Sequence, residues 1–123
     1  MNGNRKTILV VDDDQDIRDT LTELLVDEGY AVVSAAHGGE ALSTLRREPR
    51  PDLILLDLMM PVMDGWQFRA EQSRDPAIAD IPVVVVSATG KDDKVAKLGA
   101  AQLLKKPIRL EDLLDAVERH VRK

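Results

Sequence analysis

At 123 residues and 13.6 kDa, the chain has room for one domain, residues 1–123, burying roughly two-thirds of its unfolded surface. Its 22 acidic and 17 basic residues leave a net charge of −5, and only 2% of residues are aromatic, so neither a basic excess nor stacking platforms point to direct nucleic-acid binding. The absence of cysteine excludes disulfides, thiolate zinc sites and a Cys nucleophile, and the longest purely aliphatic runs are four residues, far short of the roughly 18 that span a bilayer.

The first strand is expected over Ile8–Val11, where the apolar run stops at three aspartates, too soon for a signal-peptide core. A soluble, cytoplasmic protein is expected. Ile17, Leu21, Leu24 and Leu25 then form a helical stripe that Gly29 is placed to end. Ala31–Ala35 reads as a strand, Gly39–Arg47 as a helix, Leu53–Leu56 as a strand and Trp66–Ser73 as a helix. Val83–Val86 is the next strand, followed by a short helix over Lys91–Leu98 and a last strand over Gln102–Lys105. The final helix carries Leu110, Leu113, Leu114, Val117 and Val121, with Arg119, Arg122 and Lys123 at its end, where the helix dipole favours cations.

Runs such as Ile8–Val11, Leu53–Leu56 and Val83–Val86 do not alternate with polar residues, as expected of strands buried on both faces. The order βαβαβαβαβα therefore predicts an α/β fold: one five-stranded parallel sheet, doubly wound, with right-handed crossovers. Pro49, Pro51, Pro61, Pro76, Pro82 and Pro107 all fall at predicted element boundaries.

Open α/β sheets bind ligands beyond the carboxyl ends of their strands. Those ends deliver Asp12, Asp13, Asp57, Ser87 and Lys106 to one edge. Carboxylates a few ångströms apart repel by about 1 to 4 kcal/mol per pair at effective dielectrics of 80 to 20. A divalent cation is the simplest counter-ion, and an all-oxygen donor set suits Mg²⁺ or Mn²⁺. Each residue also has a plainer reading: Asp12 to Asp14 as a helix cap followed by acids, Asp57 as a turn residue, Ser87 as a capping hydroxyl and Lys106 as a surface lysine. Taken together they supply an anionic nucleophile, a metal site, a hydroxyl donor and an ammonium, the set that phosphoryl transfer requires.

The stretches Val10-Val11-Asp12-Asp13-Asp14, Leu55-Leu56-Asp57-Leu58-Met59-Met60-Pro61-Val62-Met63-Asp64-Gly65, Val86-Ser87-Ala88 and Lys105-Lys106-Pro107 resemble the motifs of two-component response-regulator receiver domains, in order and from about Lys6 to Val121. The resemblance implies a flavodoxin-like (βα)5 fold with sheet order 2-1-3-4-5. It implies that Asp57 is the phosphoacceptor, attacking the phosphorus of a histidine-kinase phosphohistidine. Asp12 and Asp13, with the Asp57 carboxylate and the Met59 backbone carbonyl, would hold Mg²⁺. Ser87 would hydrogen-bond a phosphoryl oxygen, Ala88 would leave space beside it, and Lys106 would pair with the phosphoryl group, its peptide to Pro107 cis. The implied partners are a histidine kinase or phosphotransfer protein and a downstream protein, with the chain a monomer or weak dimer that catalyses only its own phosphorylation and dephosphorylation. The added charge of about −1.5 to −2 would draw Ser87 and Lys106 inward and bias a two-state surface.

Two departures bear on output. Relatives carry Tyr or Phe three residues before the lysine, where this chain has Leu103, so the aromatic rotamer switch cannot work in its usual form. The stretch between Ser87 and Gly99 is also about one helical turn short, which reshapes the face formed by the 91–98 helix, the last strand and the last helix. The chain ends just past the final helix, as expected of a single-domain regulator or relay intermediate, or of a receiver excised from a larger regulator or hybrid kinase. A receiver-like module that is never phosphorylated is a further alternative, and the intact five-residue set argues against it. A phosphatase of the haloacid dehalogenase type would need a second Asp two residues after the nucleophile, where Met59 stands. Trp66 reads as a partly buried helix anchor, and His37 and His120 as surface residues without metal-ligand spacing.

Overall fold

The computed structural model describes residues 5–47, 50–58, 60, 63–87 and 99–121. Its elements are β1 (Thr7–Val11), α1 (Gln15–Asp27), β2 (Ala31–Ala35), α2 (Gly38–Leu45), β3 (Leu53–Asp57), α3 (Gly65–Arg74), β4 (Val83–Ser87), β5 (Gln102–Lys105) and α4 (Leu110–His120). The five strands form one parallel sheet in the order β2-β1-β3-β4-β5, as the motifs implied. The helix expected over Lys91–Leu98 lies outside the described residues, as do Met59, Ala88, Pro49 and Pro61.

Side chains of each strand alternate between two apolar layers, because successive residues point to opposite faces. Leu9, Val11, Ile54, Leu56, Val83 and Val85 meet Ala41, Leu42 and Leu45 of α2 and Phe68 of α3 on one side. On the other, Ile8, Val10, Leu53, Leu55, Val84 and Val86 meet Leu21 and Leu25 of α1 and Leu113, Ala116 and Val117 of α4. The core is aliphatic except for Phe68, as the composition required. No helix among the described residues is long and apolar enough to cross a membrane.

The central strands extend one polar residue beyond their aliphatic runs, so Asp57 and Ser87 close β3 and β4 from within the ladder. Edge position makes β2 different: Val33 and Ser34 are exposed, since no second neighbour covers that strand. Gly29 follows α1 with φ 97°, a left-handed conformation that favours glycine.

Of the two histidines expected at the surface, His37 lies there and His120 does not. His37 is exposed, yet its Nδ1 accepts the Glu40 N–H at 3.2 Å and caps α2. His120, read from its cationic neighbours as a surface residue, is half-buried, and its Nε2 lies 2.8 Å from Gln102 Oε1 on β5. The strand that shields it is 18 residues away in sequence, beyond the reach of local pattern. Trp66 does pack partly buried against the α2–α3 core. Tyr30 packs against the opposite layer, where burial, and then the carboxylates of Glu118 and Glu28, push its hydroxyl above the ordinary phenol value.

Candidate functional site

Register brings the acidic residues together. The last paired rung of β1 and β3 is Val11 with Leu56, so Asp12 and Asp57 each follow that rung directly, on neighbouring strands. Both carboxylates are nearly closed to solvent, at 2% and 4% exposure, while Asp13 is exposed. Ligand oxygens of Asp12, Asp13 and Asp57 all lie within 4.8 Å of one another.

Asp14 settles the choice between cap and site. Its Oδ1 accepts the N–H groups of Asp16 at 2.9 Å and Ile17 at 3.3 Å, making it the N-cap of α1. Asp12 and Asp13 are thus spare of capping work. The Asp12 Oδ1 instead accepts the Asp14 N–H at 2.9 Å, folding its side chain back over the turn.

Lys106 comes from the opposite end of the chain. Its backbone N–H donates to the Ser87 carbonyl at 3.0 Å, extending the β4–β5 pairing by one residue. Its Nζ lies 3.4 Å from Asp12 Oδ2 and 3.7 Å from Asp57 Oδ2. The peptide between Lys106 and Pro107 is cis. Lys106 is therefore held in the site rather than out on the surface. Ser87 is fully buried at the end of β4, one strand over from Asp57. Leu103, at the position where the resemblance implied an aromatic residue, sits half-buried against the α2–α3 core.

Among the described residues, one ammonium faces two buried carboxylates and a third at the rim, so this donor set retains an excess of negative charge. That excess, all from oxygen, fits a hard divalent cation held by Asp12, Asp13 and Asp57. Nothing in the set would favour a soft metal.

Two residues with positional roles are not visible in the site pattern. Arg18 donates from Nη1 to the Asp12 carbonyl at 2.7 Å. Gly65 starts α3, where Asp64 and Gln67 form a capping box, and its N–H donates to the Leu58 carbonyl at 3.0 Å. The Asp64-x-x-Gln67 spacing was the available signal for that helix start. A Cβ at position 65 would lie 2.6 Å from Leu58 Cδ2, 2.8 Å from Leu58 Cα and 3.1 Å from the Asp57 carbonyl oxygen. The leucine tip can rotate away, but the backbone beside Asp57 cannot without moving the carboxylate. Gly65→Ala is expected to cost about 2 kcal/mol by overpacking, read as a lower denaturation midpoint at unchanged slope. A wild-type midpoint would show that α3 is free to lift off the β3 terminus.

Comparison with known proteins places these features in a lineage. Residues 8–118 match the family model described as the response regulator receiver domain. The chain is similar to sporulation initiation phosphotransferase F of Bacillus subtilis, at 36% identity over 117 residues, covering 93% of this chain and 92% of that protein. It is 40% identical over 116 residues to the probable transcriptional regulator ycf27 of Cyanophora paradoxa, covering 92% of this chain and 47% of that protein. It thus spans about half the length of that relative. Among solved structures, the chemotaxis protein CheY4 of Vibrio cholerae matches with a TM-score of 0.88 at 32% identity, covering 95% of this chain and 99% of that one.

Proposed function

This chain belongs to the response regulator receiver domain family of two-component systems, and from that premise we propose that it accepts a phosphoryl group on Asp57 in a divalent-metal-dependent reaction. The observation that carries this reading is the meeting of one nearly buried carboxylate with an ammonium and two further acids at the carboxyl edge of a parallel sheet.

In the proposed reaction an Asp57 carboxylate oxygen attacks the phosphorus of a phosphohistidine in line with the departing nitrogen. The P–O bond forms as the P–N bond breaks, and the bonding pair leaves with the imidazole, which takes up a proton. Lys106 offsets charge on the transferring group, and Ser87 donates its hydroxyl to a phosphoryl oxygen. Asp12, Asp13 and Asp57, with the Met59 carbonyl, are the proposed metal ligands. A bound Mg²⁺ supplies positive charge that lets an anionic acceptor and an anionic phosphoryl group approach. Ala88 is proposed to leave room beside that group.

The proposed donor is a histidine kinase or phosphotransfer protein in the cytoplasm. A groove of about 680 Å³ between α1 and α4, lined by Ile17, Leu21, Leu24, Ile108 and Leu113, runs up to Lys106 and offers an apolar contact surface beside the acceptor. The acyl phosphate then alters affinity for a downstream protein. With Leu103 at the usual aromatic position, that signal is proposed to travel through movement of Ser87, Lys106 and the adjoining backbone.

Acetyl phosphate with Mg²⁺ tests the reading without the natural donor. The expected product is an acid-stable, hydroxylamine-labile mass increase of one phosphoryl group, mapped to Asp57 by tandem mass spectrometry. No adduct, or one elsewhere, would overturn it.

A further inference from the structure

We propose that Arg18 is a positioning residue for this site, a side-chain latch that fixes the β1–α1 turn so that Asp12 and Asp13 are ready for the metal. The proposal rests on the reading of those acids as metal ligands.

Asp12 is tied at each of its polar atoms. Its N–H donates to the Ala35 carbonyl at 3.1 Å, its Oδ1 accepts the Asp14 N–H at 2.9 Å, and its Oδ2 lies 3.4 Å from Lys106 Nζ. The fourth tie is the Arg18 Nη1 donation to its carbonyl at 2.7 Å. Asp12 lies one residue beyond the last β1 pairs, Val11 with Ala35 and Val11 with Leu56. Its carbonyl therefore leaves the ladder in a nearly closed position, where an unpaired acceptor is costly. A charge-assisted bond from a planar guanidinium is the strong and geometrically specific way to satisfy it.

The latch is anchored at its other end. The Arg18 N–H donates to the Asp14 carbonyl at 3.0 Å in the first turn of α1, and the Arg18 carbonyl accepts the Thr22 hydroxyl at 2.7 Å. Asp16 and Asp19 stand nearby in sequence, yet among the described residues Arg18 forms no ion pair. Its charge is directed at a backbone atom of the site. Arg18 thus joins the helix to the one residue whose carboxylate, backbone and turn all converge on the acceptor edge.

Two roles for this arginine predict opposite signs. A cation beside an acidic pocket weakens binding of a divalent ion, so if charge alone mattered, its removal would tighten the site. A latch pre-orders the ligands, so its removal loosens the site.

The test is a Mg²⁺ titration of the full chain by calorimetry for wild type, Arg18→Ala and Arg18→Lys, with amide exchange at Asp14 and the thermal midpoint followed in metal-free protein. Arg18→Ala should weaken Mg²⁺ binding about 10-fold, the scale seen when an outer partner of a metal ligand is removed. It should also speed exchange of the Asp14 amide, whose acceptor is the Asp12 side chain. Arg18→Lys should recover most of both, since an ammonium can also donate to the carbonyl. Acetyl phosphate labelling of Arg18→Ala should be slow at limiting Mg²⁺ and approach wild type at saturation. Unchanged or tighter Mg²⁺ binding by Arg18→Ala overturns the latch while leaving the phosphoacceptor reading intact. No Mg²⁺ binding by the wild-type chain removes that reading and the latch's role with it.

Discussion

Asp57→Asn is expected to raise the stability of the metal-free protein by about 1 kcal/mol while abolishing the hydroxylamine-labile adduct. The asparagine keeps the shape of the acceptor and removes its charge. In the wild type that charge faces two other carboxylates whose oxygens lie within 4.8 Å, and one ammonium at 3.7 Å that also serves Asp12 at 3.4 Å. Each repulsion is worth about 1 to 4 kcal/mol at effective dielectrics of 80 to 20, solvent near exposed Asp13 places it at the lower end, and the amide relieves it while keeping a hydrogen-bonding head for the other contacts of this position. The order should reverse with Mg²⁺. A ligand bound only by the folded state stabilises in proportion to the logarithm of its excess over Kd, and the wild type keeps three anionic ligands where the variant keeps two. Denaturant midpoints with and without Mg²⁺ measure both effects. A metal-free midpoint below wild type would show that the Lys106 contact outweighs the repulsion.

That trade of stability for chemistry was partly readable from residue order. Each aliphatic quartet ends in a polar residue, and a parallel sheet collects those ends on one edge, so Asp12, Asp57 and Ser87 announce themselves by position. Runs without alternation also gave the buried strands correctly, because both faces are covered. The lateral relations were not legible. Nothing in Asp12-Asp13-Asp14 says which aspartate caps α1; the backbone of the turn decides it, and it is Asp14. Arg18 looks like any charged residue in a first helical turn until the end of β1 is placed beside it. Gly65 shows its purpose only when α3 is laid against Leu58 and Asp57. The sequence Ala31–Ala35 reads as a strand but does not say that Val33 and Ser34 face solvent, since edge position is a property of strand order rather than of local composition. His120 shows the reverse, being shielded by Gln102 of another element.

Removing the cation should have the larger thermodynamic effect. Lys106→Met keeps the side-chain stem and the backbone N–H that donates to Ser87, but leaves two nearly buried carboxylates without the ammonium that lies within 4 Å of both. Breaking such a pair by deleting one partner costs about 3 kcal/mol, because the remaining charges stay buried without that counter-ion. The loss should appear as a lower midpoint in metal-free buffer and be largely restored by Mg²⁺, since about 100-fold excess over Kd returns roughly 2.7 kcal/mol. Labelling by acetyl phosphate should remain slow even then, because the metal replaces the ammonium as counter-ion of the acids and not as its partner on the incoming group. The charge argument makes a further demand. In an Asp57→Asn background one of the two carboxylates is already neutral, so Lys106→Met should cost roughly half as much, and the two substitutions should be strongly non-additive. Equal losses in both backgrounds would show that the cost does not come from the ammonium facing the Asp57 charge, and the electrostatic account of the site would fail.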